Sequence, residues 1–260
     1  MLKSLSASSA RYHPAACLKR SDQFNSNKMK ASRYLDDFIS VFYPRTCMAC
    51  GNTLFRHEET LCTYCLFHLP KTNFHKEADN PVSRIFWGRV ILSSAAAYYH
   101  FGKGGKVQHM IHELKYKGHK EVGIYTGKLY GAELHEEPLY ASIDTVIPVP
   151  LHLSKLRARG YNQSEQFALG LCSSMPAELD IHALYRTYAS ETQTKKSRFS
   201  RWENVKEIFA LRDEEKLAGR HILLVDDVIT TGATIEACAA MLLKVPDVKV
   251  SVVAMACAIK

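Results

Sequence analysis

The sequence predicts an α/β fold, a doubly wound and mostly parallel sheet preceded by a small N-terminal zinc-binding module. Three observations carry that expectation. In the last third of the chain, short apolar runs alternate with helical periodicity, at 208–211, 221–225, 232–244 and 248–259. The run at 222–225 is continuous in apolar residues, as in a parallel strand buried on both faces. Near the N-terminus, four cysteines fall as two Cys-x2-Cys pairs, eleven residues apart.

At 260 residues the chain has room for one full α/β domain and a small appendage. Its net charge of +8 is uneven. Lys3, Arg11, Lys19, Arg20, Lys28 and Lys30 stand against Asp22 alone, so residues 1–30 hold +5 of it. The basic balance belongs to that leader and is weak support for nucleic-acid binding by the fold. The leader reads as a disordered tail, or as sequence upstream of a start at Met29. A transit peptide is a third reading, weakened by the lack of a sustained amphipathic helix. No secretory core and no apolar run of membrane-spanning length occurs. A cytoplasmic protein without membrane insertion is therefore the expectation.

Tyr34, Leu35, Phe38, Ile39 and Phe42 repeat at helical spacing, and Pro44 ends that helix. The helix is expected to pack the following module onto the main domain. Cys47, Cys50, Cys62 and Cys65 supply four thiolates at a spacing that closes a tetrahedron around Zn2+, with Gly51 in the tight turn. Four cysteines leave no open position, so the zinc is structural. A segment of about 25 residues cannot bury its own core, and zinc would contribute on the order of 10 kcal/mol. His57, His68 and His75 lie nearby; they read as surface histidines, with substitute ligands as the alternative. Cys238 and Cys257 sit in apolar surroundings and read as core. The boundaries expected are a leader at 1–30, a helix and knuckle module at 31–70, a linker at 71–88 and the main domain at 89–260.

A strand is expected at 90–101, broken by Gly102, and helices at about 106–117 and 121–137. The first helix turns Val107, Met110, Ile111 and Leu114 inward. A strand at 144–150 ends in Pro148 and Pro150, which forbid further ladder bonds. A helix follows at 162–174, with Asn162 as cap, Glu165 returning the bond, and Phe167 and Leu171 facing inward.

The most informative stretch is 222–234. Asp226 and Asp227 stand at the carboxyl end of a strand, where open α/β sheets bind ligands. Thr230, Thr231, Gly232, Ala233 and Thr234 form a compact loop whose N–H groups and hydroxyls can surround a phosphate at a helix start. Gly232 lets the backbone turn sharply and approach the anion. Carboxylates beside a phosphate cradle suit a sugar phosphate, with the acids on ribose hydroxyls. Lys155, Arg157, Arg159 and Gly160 form a basic loop after another strand of the sheet, placed for contact with an anion. From Arg186 to Phe209 runs a long basic segment with Lys196, Arg198 and Arg201, read as a lid.

The 222–234 string resembles the phosphoribosyl-pyrophosphate (PRPP) motif of type I phosphoribosyltransferases. Zinc knuckles, Arg159-Gly-Tyr-Asn-Gln163, the Gln193-Thr…Asn204-Val…Phe209 segment and that motif occur in the order seen in ComF family proteins, over about 31–260. The resemblance implies a type I phosphoribosyltransferase domain behind a zinc module, in a family associated with DNA uptake, and a dimer would be usual for the fold. It implies transfer of 5-phosphoribosyl from PRPP to a nitrogen nucleophile, with Mg2+ on the diphosphate and ribose hydroxyls. Asp226 and Asp227 would hold the ribose, 230–234 the 5′-phosphate, and Arg159 with Gly160 the diphosphate. Lys196, Arg198 or Arg201 would close over it, and Lys115 resembles a recurrent family position, a solvated helix lysine being the other reading.

A rival class is a binding protein that senses PRPP or a nucleotide and docks DNA-uptake or DNA-processing proteins through its zinc module. Direct single-strand binding through Phe55, Tyr64 and Phe67 is a third, set against the expectation that these aromatics form the module's small core. No pattern in the sequence selects the acceptor.

Overall fold

The apolar run that ends in the acid pair forms the middle strand of a five-stranded parallel sheet. The computed structural model describes residues 44–187 and 209–258. The N-terminal leader, the 34–42 helix and the lid residues Lys196, Arg198 and Arg201 lie outside them. In chain order come α1 (Thr63–His68), a 3-10 turn (Phe74–Lys76), α2 (Pro81–Phe86), β1 (Ser94–His100), α3 (Lys106–Tyr116) and α4 (Glu121–His135). Next are β2 (Thr145–Pro148), α5 (Leu153–Arg159), α6 (Gln163–Cys172), β3 (Glu178–Leu179), β4 (Leu184–Arg186) and β5 (Phe209–Leu211). The last are α7 (Glu214–Leu217), β6 (His221–Ile229), α8 (Ala233–Leu242) and β7 (Lys249–Cys257). The sheet order is β1-β7-β6-β2-β3, every pair parallel, and β4 and β5 form a separate antiparallel hairpin.

Alternate residues of a strand face opposite sides, and here both sides are covered. Leu223 and Val225 share one core with Tyr98, Met255 and helices α3, α4 and α6. Ile222 and Leu224 share the other with Val252, Ala254, α2 and α8. That is the physical reason the run is continuous: neither face meets water.

Helices α4 and α6 touch backbone to backbone. A Cβ on Gly127 would fall 2.2 Å from the Phe167 carbonyl oxygen, and one on Gly170 would fall 2.1 Å from that of Ile124. Only glycine permits this approach. It sets the height of α6 against the sheet, and α6 delivers its first turn to the end of β6.

Residues Thr46–Lys260 form one compact unit. Cys47, Leu54, Leu61, Cys65 and Leu69 are buried in the same core as α3 and α4, so the knuckles share the apolar interior of the sheet. The stretch 71–88, expected as a linker, is packed. Asn80 is 1% exposed, caps α2 in a capping box and donates to the carbonyls of Phe74, Glu77 and Ala95. Val82 and Phe86 of α2 are buried against the sheet. This single buried amide satisfies three carbonyls, a tertiary arrangement that no local pattern announces.

Other expectations need correction. The strand expected from 90 begins at Ser94, and Ile91 projects into solvent. The basic loop after β2 holds a helix, α5, with no buried residue. His57 and His68 are exposed as expected, but His75 is buried edge-on against Tyr130 and 3.7 Å from the Glu133 carboxylate. Burial lowers the pKa of His75, against the pull of Glu133. Phe55, Tyr64 and Phe67 do not form a core: they are 70%, 60% and 76% exposed. The module's apolar interior comes from leucines and the cysteines themselves. Cys238 and Cys257 are buried, as read.

Candidate sugar-phosphate site and metal centre

Strand β6 extends past its apolar run through Asp226 and Asp227 to Ile229, with Asp226 in register with Ala254 of β7. Asp226 Oδ1 accepts from the Asp227 N–H at 2.8 Å and from the Ser164 hydroxyl at 3.0 Å. Asp227 Oδ1 lies 2.9 Å from Lys115 Nζ, at the end of α3. Burial, and next the charge of Asp227, push the Asp226 carboxyl up to about 7, while its two hydrogen bonds and Lys115 pull the other way. Two adjacent carboxylates are thus held in low dielectric with one nearby ammonium. Such a pair is primed for a ligand that brings hydroxyl donors or positive charge.

Beyond the pair, Asp226 and residues 228–235 line a hollow of about 40 Å3. Gly232 stands at its rim with φ +75°, the left-handed region. A Cβ there would also lie 2.8 Å from the Phe86 ring and 2.9 Å from Ile85 Cγ2, so the loop is pressed against α2. Gly232 is the N-cap of α8 and no side chain caps it. The first N–H groups of that helix are therefore left for an anion.

The basic segment runs into α6, the helix whose Ser164 meets Asp226. Asn162 donates to the Val149 carbonyl at 2.9 Å and caps α6 through the Ser164 N–H. Arg159 donates to Gln163 Oε1 at 2.7 Å, and its guanidinium lies 5.3 Å from the Tyr116 ring centre. Tyr116 follows Lys115 directly, which ties the arginine to the acid pair. Gly160 closes α5 in the left-handed conformation, φ +77°. Lys155 and Arg157 are exposed. At the hairpin, Arg186 pairs with Phe209, the two residues that bound the stretch expected as a lid.

Ser164, Tyr116 and Arg89 escaped the sequence reading. Ser164 sat in plain view two residues after the cap. Arg89 lies just past the stretch taken as linker, at the first position of the expected main domain, and it donates to the Thr231 carbonyl at 3.0 Å.

Separately, the sulfurs of Cys47, Cys50, Cys62 and Cys65 all lie within 4.8 Å of one another, a set that can hold a metal ion. A tetrahedron with 2.3 Å metal–sulfur bonds has edges of about 3.8 Å, and Cys50 Sγ is 3.7 Å from Cys62 Sγ. Backbone N–H groups already point at the sulfurs: Cys62 to Cys47 at 3.2 Å and Cys65 to Cys62 at 3.4 Å. Burial raises Cys47, but donors from Cys62, Ala49 and Cys50 outweigh it and bring it down to about 7. Gly51 makes the knuckle turn at φ +76°. The donor set fits a closed, four-thiolate site.

A parallel sheet with helices on both faces, and an acid pair followed by a glycine turn into a helix, define a type I phosphoribosyltransferase domain, and residues 159–260 match the phosphoribosyl transferase domain family. DNA utilization protein YhgH of Shigella flexneri and that of Escherichia coli (strain K12) are each 30% identical over 202 residues, 76% of this chain and 84% of theirs. The chain belongs to the ComF family. Competence protein F of Haemophilus influenzae is 32% identical over 102 residues, 39% of this chain and 44% of its own. Among solved structures, glutamine phosphoribosylpyrophosphate amidotransferase from B. subtilis aligns over 54% of this chain and 30% of its own, at 18% identity and a TM-score of 0.38. No helix of the described residues is long and apolar enough to cross a membrane.

Proposed function

We propose that this protein binds PRPP with Mg2+ and transfers the 5-phosphoribosyl group to a nitrogen acceptor, releasing pyrophosphate. The observation that carries the reading is the acid pair at the mouth of the 230–234 hollow, with Lys115 on Asp227. Asp226 and Asp227 accept from the ribose hydroxyls and soften the positive charge that grows on the ring. Thr230, Thr231, Gly232, Ala233 and Thr234 hold the 5′-phosphate. Arg159 and Gly160 meet the diphosphate, and Arg198 and Arg201, with Lys196, close over it where negative charge accumulates. The bond from ribose C1 to the diphosphate oxygen breaks with its electron pair going to pyrophosphate. A nitrogen lone pair forms the new bond to C1, and that nitrogen then loses its proton. Asp226 and Asp227 are the carboxylates beside which Mg2+ would be held with PRPP, and it would supply neutralisation of the charge that grows on the diphosphate. Cys47, Cys50, Cys62 and Cys65 hold a structural Zn2+, and the protein works in the cytoplasm as a homodimer.

A second reading takes the domain as a PRPP or nucleotide sensor whose zinc module docks proteins of DNA uptake or processing. The exposure of Phe55, Tyr64 and Phe67 favours it, as do the names of the relatives. Single-stranded DNA on those aromatics is the variant of this reading that a Phe55, Tyr64 and Phe67 triple alanine change isolates, through loss of DNA binding with PRPP binding kept.

Calorimetric titration with PRPP and Mg2+ tests the main reading. The wild type is expected to bind at micromolar concentration, and an Asp226→Asn/Asp227→Asn protein of unchanged fold is expected not to. Absence of binding by the zinc-loaded wild type would sink the transferase reading. Binding, followed by a pyrophosphate-release screen that finds no acceptor, would favour the sensor.

A further inference from the structure

The phosphate loop is held from behind by a residue outside every motif that defines the site. Arg89 Nη1 donates to the Thr231 carbonyl at 3.0 Å and to the Ile85 carbonyl at 3.2 Å, and Nη2 pairs with the Glu236 carboxylate. One guanidinium thus joins the end of α2, the anion loop and the first turn of α8. We propose that Arg89 is a positioning residue for phosphate recognition, fixing the Thr231–Gly232 peptide so that the hollow presents donors to a 5′-phosphate. The inference deepens the phosphoribosyl reading and rests on it.

The argument is one of peptide geometry. In a trans peptide the C=O and N–H point in opposite directions, and none of the described peptides is cis. With its carbonyl pinned to Arg89, the Thr231–Gly232 unit directs the Gly232 N–H away from Arg89, toward the side where Asp226 and 228–235 line the hollow. Gly232 is the weak point of that arrangement. Its φ of +75° lies in the region glycine enters freely, and glycine leaves it as freely. Ile85 and Phe86 of α2 fill the space that a Cβ on it would take, and Arg89 supplies a side-chain bond to the loop's backbone.

Electrostatics adds a second role. Glu236 is an acid in the first turn of α8, where a phosphate is to sit, and an unpaired carboxylate there repels the ligand. The guanidinium of Arg89 neutralises it. Arg89 is itself committed to carbonyls and Glu236, so it acts on the ligand through the loop. The stretch around it is rigid for stated reasons: Asn80 ties the start of α2 to β1 through the Ala95 carbonyl, and Val82 and Phe86 are buried.

The test compares wild type, Arg89→Ala and Arg89→Lys by calorimetry with two probes in the presence of Mg2+, PRPP and inorganic pyrophosphate. In Arg89→Ala, PRPP affinity is expected to fall about tenfold, the size of one charge-assisted hydrogen bond. Pyrophosphate affinity should hold, because Arg159 and Gly160 lie on a different element, and this separates loop positioning from general damage. Lysine keeps the charge but cannot fork between carbonyl and carboxylate, so about a threefold loss is expected. If Arg89→Ala fails to fold, Arg89→Lys decides alone, and wild-type affinity for PRPP in it overturns the proposal. Equal PRPP affinity in a folded Arg89→Ala, or equal loss toward both probes, overturns it too. A wild type that binds no PRPP removes the phosphoribosyl reading first and this inference with it.

Discussion

Lys115 Nζ lies 2.9 Å from Asp227 Oδ1, joining the last turn of α3 to the end of β6 across 112 positions of sequence. Both side chains are largely shielded from water, at 19% and 15% exposure. The ammonium offsets one of two adjacent carboxylates, and the fold without it would hold an uncompensated acid pair. Lys115→Met keeps the stem and removes the charge. It is expected to lower unfolding free energy by about 1–3 kcal/mol and to weaken PRPP binding at least tenfold, about 1.4 kcal/mol. Urea unfolding and calorimetry measure the two effects. An unchanged urea midpoint would show that the pair contributes nothing in solution.

The raised Asp226 makes stability depend on pH with a definite sign. Its folded-state pKa of about 7 stands above the ordinary 3.8, because of burial and the charge of Asp227. The native state therefore holds a proton that the unfolded chain has released. The stabilisation is complete below about pH 3.8 and is lost as pH rises through about 7. Asp226→Asn keeps an oxygen for the Ser164 hydroxyl and the Asp227 N–H while removing the charge. It is expected to melt about 2–4 °C above wild type at pH 8, with little gain at about pH 4, and to lose PRPP binding. Melting curves at the two pH values check it, and an equal gain at both would contradict the assignment.

The α4–α6 contact gives a graded series. A Cβ on Gly127 meets the Phe167 carbonyl oxygen at 2.2 Å, while one on Gly123 first meets the Gln166 Cβ at 3.0 Å. Gly127→Ala must separate two backbones and is expected to cost about 3 kcal/mol, the upper end for overpacking. Gly123→Ala should cost about 1 kcal/mol or less. Denaturant midpoints of the two variants rank them; equal effects would mean that the helices are not held by this glycine line.

Metal removal tests the cysteine centre. Because Cys47 and Cys65 belong to the same core as α3 and α4, the loss should spread beyond the knuckles. One zinc per chain is expected by atomic absorption. Stripping it with a chelator, or Cys62→Ser, is expected to lower the melting temperature by about 5 °C or more, a few kcal/mol for a domain of this size. Metal-free wild type with an unaltered melting curve would rule out a structural zinc.

Several features were legible because they are local. The parallel strands announce themselves through apolar runs at 222–225 and 248–259, and the turn into α8 through Gly232 after an acid pair. The four cysteines carry their metal geometry in their spacing. Illegible features share the opposite property. Phe55, Tyr64 and Phe67 look like core material by composition, yet the leucines and buried cysteines fill the interior and leave them outside. The basic loop became α5 because His152 caps it and Gly160 closes it, two weak signals that a run of cations obscures. The stretch 71–88 looks like a linker because its polar residues are spent on tertiary bonds, those of Asn80 above all.

By itself the sequence determined the strand that bears Asp226 and Asp227, the turn at Gly232 and the metal-ligand spacing of the knuckles. Each depends on residues close in the chain, the cysteines from Cys47 to Cys65 being the widest set, where periodicity, spacing and backbone freedom decide. Tertiary structure alone decided what surrounds them: Lys115 on Asp227, Ser164 on Asp226 from 62 positions away, and Arg89 on Glu236 from 147. Those partners are chosen by which helix packs on which face of the sheet and at what height. The Gly127–Gly170 approach of α4 and α6 and the buried cap of α2 set that height, and no local pattern encodes it.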